Sequence, residues 1–190
     1  MTAFTLHAPE TAPEASRAAL GEAKAAFGFV PNLHAILAEA PAALEGYNAL
    51  WSLFAETSFT PAEQQVVYLA ANFENVCGYC MAGHSVLGKM AGLSADHVEA
   101  LRDGAPIPDP RLEALRRFTS AVVRKRGFVE ETEVGAFLAA GFERRQILEV
   151  ILGVAVKTLS NYTNHIAETP LDAFMKDTVW TPPSARARAA

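Results

Sequence analysis

The sequence predicts an all-α fold, on two observations. Nearly every periodic segment repeats its apolar residues at the helical spacing, and no stretch sustains the alternation and β-branched enrichment of a strand. A first helix is expected from about Pro13 to Phe27, where Gly28 stops it. The turn Gly28-Phe29-Val30-Pro31 then leads to Asn32, the expected cap of a short second helix. Pro41 opens a third helix, to about Glu56, with Leu44, Tyr47, Leu50, Trp51 and Phe54 on one apolar face. Thr60-Pro61-Ala62-Glu63 joins a cap residue, a proline at the first helical position and a glutamate three after the cap. It marks a helix to about Phe73.

Glu74, Asn75 and Val76 make a short break before the next helix, which carries Cys77, Cys80 and His84 and ends at Gly92. Ser94 caps a further short helix, and Gly104-Ala105-Pro106-Ile107-Pro108-Asp109-Pro110 is the clearest linker. Helices are then expected from Pro110 to Arg126, Glu130 to Ala140 and Glu143 to Ala167, with Pro170 ending the last. Residues 1–176 read as one helical domain, and 177–190, with Pro182-Pro183 and Arg186-Ala187-Arg188, as a loose C-terminal extension. Laying the second half on the first so that Gln146 meets Gln65 and His165 meets His84 matches apolar positions with few identities. That is at most a faint internal duplication, with Thr158 and Asn161 where Cys77 and Cys80 stand.

Composition bounds the function classes. Hydrophobic residues make up 51 % and charged residues 19 %, an apolar supply that predicts a subunit interface and hence a homo-oligomer. The net charge of -5, with basic residues scattered, argues against a nucleic-acid partner. Met1-Thr2-Ala3-Phe4 lacks the basic and apolar regions of a leader, and the longest apolar run, Ile147 to Val156, contains Glu149 and is too short to span a bilayer. A cytoplasmic chain without a membrane partner is expected, and in a reducing compartment a CxxC pair is more often catalytic or metal-binding than a structural disulfide.

The chemistry is expected at Cys77-Gly78-Tyr79-Cys80-Met81-Ala82-Gly83-His84. On a helix, Cys77, Cys80 and His84 fall on one face, about a turn apart. In the helix's first turns the positive end of the dipole and the free amides favour a thiolate, and an imidazole can take the proton. Redox work at a dithiol is the leading reading. A thiophilic metal held by the cysteines, His84 and a fourth ligand such as His165 is an alternative, as is plain packing of small apolar cysteines. A thioredoxin-type motif needs a βαβ context that is absent. Trp51, Phe54 and Phe59 can line an apolar pocket but are core by default, and His7, His34 and His97 receive no role.

The chain resembles the carboxymuconolactone decarboxylase superfamily, in its alkylhydroperoxidase D-like branch. The resemblance rests on Gly28-Phe29-Val30-Pro31-Asn32, on Pro61-Ala62-Glu63-Gln64-Gln65-Val66-Val67 leading to Cys77-x2-Cys80-x3-His84, and on Asn161-Tyr162-Thr163-Asn164-His165 followed by Thr169-Pro170-Leu171-Asp172. It implies an all-helical bundle, trimers or hexamers, and reduction of a hydroperoxide or disulfide without metal, haem or other cofactor, at the expense of an unidentified thiol donor. By position, Cys80 matches the attacking cysteine, Cys77 the resolving one and His84 the histidine of a proton relay. The relay acid of the best-known members stands where this chain has Gln65, and glutamine exchanges no proton. Glu74 is the expected substitute, Glu63 being taken up by its capping box. Tyr79 walls the pocket or packs, and His165 reaches the site or locks two helices. The branch without the cysteine pair performs decarboxylase-type proton chemistry, and a partner-binding module is a further alternative.

Overall fold

The structure, a computed structural model, describes residues 4–189. Among them are ten α-helices and a 3₁₀ helix, with no strand: α1 (Glu14–Phe27), α2 (Asn32–Leu37), α3 (Pro41–Ala55), α4 (Pro61–Glu74), α5 (Gly78–Met90), α6 (Ala95–Asp103), α7 (Pro110–Arg124), α8 (Glu131–Ala139), α9 (Arg144–Ala167), the 3₁₀ helix Ala173–Thr178 and α10 (Pro183–Ala189). The all-α expectation holds, and the helix ends form for the expected reasons. Gly28 closes α1 in the left-handed region at φ 80°. At α4, Thr60 Oγ1 accepts the Glu63 N–H at 3.3 Å, and Glu63 Oε2 accepts the Thr60 N–H at 2.9 Å. Glu63 is nonetheless buried, because Arg111 reaches its other oxygen at 2.9 Å. One expected cap differs: Asn32 lies inside α2 and spends its side chain on the Pro170 carbonyl at 3.0 Å.

α4 is the central helix, packed by α5, α7 and α9, and Val66, Val67, Leu69, Ala70 and Ala71 bury it among them. Small residues set the depth of the neighbours. At Gly153 of α9 a Cβ would lie 2.7 Å from Phe54 and from Val67, so only glycine lets α9 sit this close to α3 and α4. An aromatic stack, Phe118, Phe137 and Phe142, ties α7 to α8 with centroids 4.4 Å apart at each step.

The stretch after Asp177, expected to be loose, is anchored. Trp180 is buried, meets Phe73 edge-on and donates its indole N–H to the Arg102 carbonyl at 2.8 Å. Arg102 in turn donates to the carbonyls of Thr178 and Val179, and Arg186 pairs with Asp103 at 2.7 Å. The prolines and basic residues hid one large apolar side chain with a place in the core. Among the described residues no helix is long and apolar enough to cross a membrane. α9 also carries exposed apolar residues, Leu148, Ile151, Tyr162 and Ile166.

Candidate active site

Between α4 and α5 the chain reverses through Asn75 and Val76. Val76 sits at φ 56°, a left-handed conformation uncommon for a β-branched residue, and the next residue, Cys77, is the N-cap of α5. Cys80 then occupies the first turn, where backbone N–H groups have no intrahelical acceptor. Both thiols are free and buried. The other wall is α9. Its residues Lys157, Ser160, Asn161 and Asn164, spaced i, i+3, i+4, i+7, form one buried polar stripe. Asn164 Nδ2 lies 3.2 Å from Cys80 Sγ and 4.0 Å from Cys77 Sγ, and Ser160 Oγ lies 3.7 Å from Cys80 Sγ. Asn161 braces the stripe against α4, donating to Asn72 and accepting from Asn75 at 2.9 Å each.

The proton affinities of the two thiols are driven in opposite directions. Burial opposes ionisation of Cys80, but the Cys77 thiol, the charge of Lys157 and the Ser160 hydroxyl together outweigh it and bring Cys80 down to about 5. Cys77 is pushed up, by its hydrogen bond to Cys80 first and by burial second. The pair thus favours one thiolate on Cys80, with Cys77 keeping its proton.

His84 does not hydrogen-bond to either sulfur. Its Nδ1 lies 2.8 Å from Gln65 Oε1, and its Nε2 lies 2.8 Å from Lys157 Nζ. An amide oxygen only accepts, so Nδ1 carries the proton and Nε2 accepts from Lys157. Burial and the charge of Lys157 hold His84 well below its ordinary range, in the neutral form. Tyr68 lies beside this pair, its ring 4.9 Å from that of His84 and 5.0 Å from Lys157 Nζ. Lys157 escaped the sequence reading. The signal for it is that from Val150 to Ala167 it is the only Lys, Arg, Asp or Glu.

Glu74, expected as the relay acid, is not brought to the dithiol. It ends α4 on the side facing α7, with Arg124 Nε at 3.8 Å from its carboxylate. The turn at Val76 reverses the chain so that the cysteines and Glu74 leave on different sides. His165 is exposed, with only Tyr162 as an aromatic neighbour at 6.4 Å. It cannot meet the cysteines there as a fourth metal ligand, and among the described residues no group of three or more His, Cys, Asp or Glu is placed to hold a metal.

A cavity of about 480 Å³ opens onto Cys80, His84 and Lys157. Aromatic and aliphatic side chains line most of it, including Tyr47, Trp51, Phe27, Phe29, Leu87 and Met175. Trp51 is therefore a pocket residue, stacked on Tyr68 at 5.2 Å, whereas Phe54 and Phe59 belong to the core. His34, given no role from sequence, also lines the cavity. Burial lowers it to about 4 against the raising effect of the Asn48 side chain, and its Nδ1 has no partner. Tyr79 both walls the cavity and packs: its hydroxyl donates to Asp172 and accepts the Leu33 N–H at 3.3 Å, while Asp172 accepts the Asn32 N–H at 3.1 Å. The Thr169–Asp172 block is thereby fastened to the starts of α2 and α5.

Residues 38–121 match the carboxymuconolactone decarboxylase family. No curated protein matches the chain in sequence. Among solved structures the fold is shared with the alkylhydroperoxidase AhpD core of an uncharacterized peroxidase-related protein from Ralstonia eutropha JMP134, at 21 % identity and a TM-score of 0.80 over 90 % of this chain and 93 % of that one. An uncharacterized peroxidase-related protein from Silicibacter sp. TM1040 matches at 19 % identity and a TM-score of 0.73, over 85 % and 86 % of the two chains. The debrominase Bmp8 matches at 14 % identity and a TM-score of 0.77, over 94 % and 96 %, and one of its structures is a complex with 2,3,4-tribromopyrrole.

Proposed function

We propose that this chain, a member of the carboxymuconolactone decarboxylase superfamily with the alkylhydroperoxidase D-like fold, is a thiol-dependent oxidoreductase that reduces organic hydroperoxides through Cys80 and Cys77. The observation that carries the reading is the asymmetry of the dithiol: Cys80 faces Asn164, Ser160 and the charge of Lys157 and is lowered to about 5, while Cys77 is raised. The Cys80 thiolate attacks the terminal oxygen of the hydroperoxide. The O–O bond breaks, the alkoxide takes a proton and leaves as alcohol, and Cys80 becomes a sulfenic acid. Cys77 then attacks that sulfur, forming the disulfide and releasing water. A dithiol donor reduces the disulfide and resets the pair. His84, neutral and hydrogen-bonded to Lys157, acts on the site through that lysine rather than on the sulfur.

The cavity supports an apolar, flat substrate. A second reading uses the same thiols on a halogenated aromatic, as the debrominase likeness and the aromatic lining suggest: two thiols become a disulfide, C–Br becomes C–H, and bromide leaves. The exposed apolar residues of α9 support the expected homo-oligomer, trimer or hexamer, which sedimentation measures directly.

The experiment is mass spectrometry of the protein after stoichiometric cumene hydroperoxide. A Cys77-Cys80 disulfide in the wild type and a dimedone-trapped sulfenic acid on Cys80 in Cys77→Ser are expected. Neither product with peroxide in excess overturns the peroxidase reading, and bromide release from a bromopyrrole in its place favours the second.

A further inference from the structure

A buried ammonium needs a counter-charge, and among the described residues none of the ion pairs includes Lys157. Lys157 is 1 % exposed. Its hydrogen-bond acceptor is His84 Nε2, and the Tyr68 ring takes a second side of the head group. An ammonium has three N–H donors, so hydrogen-bond capacity is left for the cavity that Lys157 shares with Cys80. The titratable groups around it are Cys77, Tyr79, Cys80 and His84 at α5, Tyr68 of α4, Tyr47 of α3, His34 of α2 and, at the cavity rim, the exposed Glu22 of α1. Of these only the Cys80 thiolate combines burial with a negative charge.

Resting on the peroxidase reading, we propose that Lys157 is the proton donor of the site and the counter-ion of the Cys80 thiolate, and that Gln65 and His84 are positioning residues that hold it there. Gln65 cannot pass a proton, so the Gln65–His84 hydrogen bond is an anchor and not a relay. It fixes Nε2 as an acceptor, and that acceptor aims the ammonium. When the thiolate attacks, the electron pair of the O–O bond goes to the alkoxide, and Lys157 protonates it to the alcohol. The neutral amine then takes the Cys77 proton as Cys77 attacks the sulfenic sulfur, and returns it to the departing hydroxide to make water. Of the two protons brought by the reducing dithiol, one restores Cys77 and the other Lys157. The cycle closes in charge and atoms.

The test separates charge from proton transfer. Lys157→Met removes both, whereas Lys157→Arg keeps the charge on a group that does not deprotonate in proteins. Three quantities are measured in the full chain: the pH profile of Cys80 alkylation by iodoacetamide, and the stopped-flow rates of Cys80 oxidation by cumene hydroperoxide, whose leaving alkoxide needs a proton, and by peracetic acid, whose leaving acetate does not. In Lys157→Met the alkylation midpoint should rise by about two pH units or more, and the hydroperoxide rate should fall by about a hundredfold or more. Lys157→Arg should keep the midpoint within about one unit and the peracetic acid rate within a few-fold, yet lose the hydroperoxide rate by a similar hundredfold. An unmoved midpoint in Lys157→Met, or a wild-type hydroperoxide rate in Lys157→Arg, overturns the inference while leaving the peroxidase reading intact. A wild-type Cys80 oxidised by neither reagent overturns both. Should the variants not fold, ¹⁵N-lysine spectra of the wild type carry the test. Alkylating Cys80 removes the counter-charge and should shift the Lys157 Nζ resonance, and an unmoved resonance overturns the pairing.

Discussion

His84 donates its Nδ1–H to Gln65 Oε1 at 2.8 Å, which turns the other ring nitrogen into the acceptor for Lys157. Removing the anchor strands a donor on a ring that is 5 % exposed. Gln65→Leu should therefore cost about 1–3 kcal/mol in urea denaturation and leave the ring without its anchor. Gln65→Glu keeps an acceptor at the same place and should retain the Nδ1–H form. The ¹⁵N shifts of His84 report the tautomer directly, and a wild-type urea midpoint in Gln65→Leu contradicts the anchoring role.

Most of the fold is legible in the sequence because its signals are local. Thr60-Pro61-Ala62-Glu63 needs nothing beyond its own four residues to start α4, and Gly28 needs only its missing Cβ to stop α1. The dithiol is legible for the same reason, since Cys77 and Cys80 are three apart. What sequence misses is set by neighbours far along the chain. Lys157 meets His84 across 73 residues, and Asn164 meets Cys80 across 84. Glu74 was near in sequence but left facing α7, because the left-handed Val76 turns the chain between it and Cys77. A polar residue on an apolar helix shows that something must partner it, and only packing shows what.

Stability should fall on mild acidification. Burial lowers His34 from 6.5 to about 4, and lowers His84 well below its ordinary range. Between the unfolded and folded values the unfolded chain binds more protons, so the His34 contribution to stability is full above about pH 6.5 and drains as pH falls toward 4. For His34 the full shift amounts to at most about 3.5 kcal/mol. Urea midpoints at a series of pH values between neutrality and mild acid measure the slope. Cys80, also lowered, contributes with the same sign, so the variant His34→Gln isolates the histidine: its midpoint should vary less with pH than the wild type's. An equal slope in the two proteins would assign the acid sensitivity elsewhere.

Gly153 lies one turn before Lys157 on α9, and it decides how deeply that lysine is carried into the site. The atoms a Cβ would strike are an aromatic edge of Phe54 and a branched methyl of Val67, both locked in the core, so neither can swing away cheaply. Gly153→Ala gains helix propensity of about 1 kcal/mol, and the overpacking of about 1–3 kcal/mol opposes it. Gly153→Val adds bulk without further propensity gain, and its loss in urea denaturation should be the larger of the two. The same clash pushes α9 away from α4 and carries Lys157, Ser160 and Asn164 off the dithiol. The alkylation midpoint of Cys80 should therefore climb from Gly153→Ala to Gly153→Val, in step with the stability loss. A protein destabilised by Gly153→Val whose Cys80 still titrates as in the wild type would mean that the thiolate is held by the N-terminus of α5 alone, without help from α9.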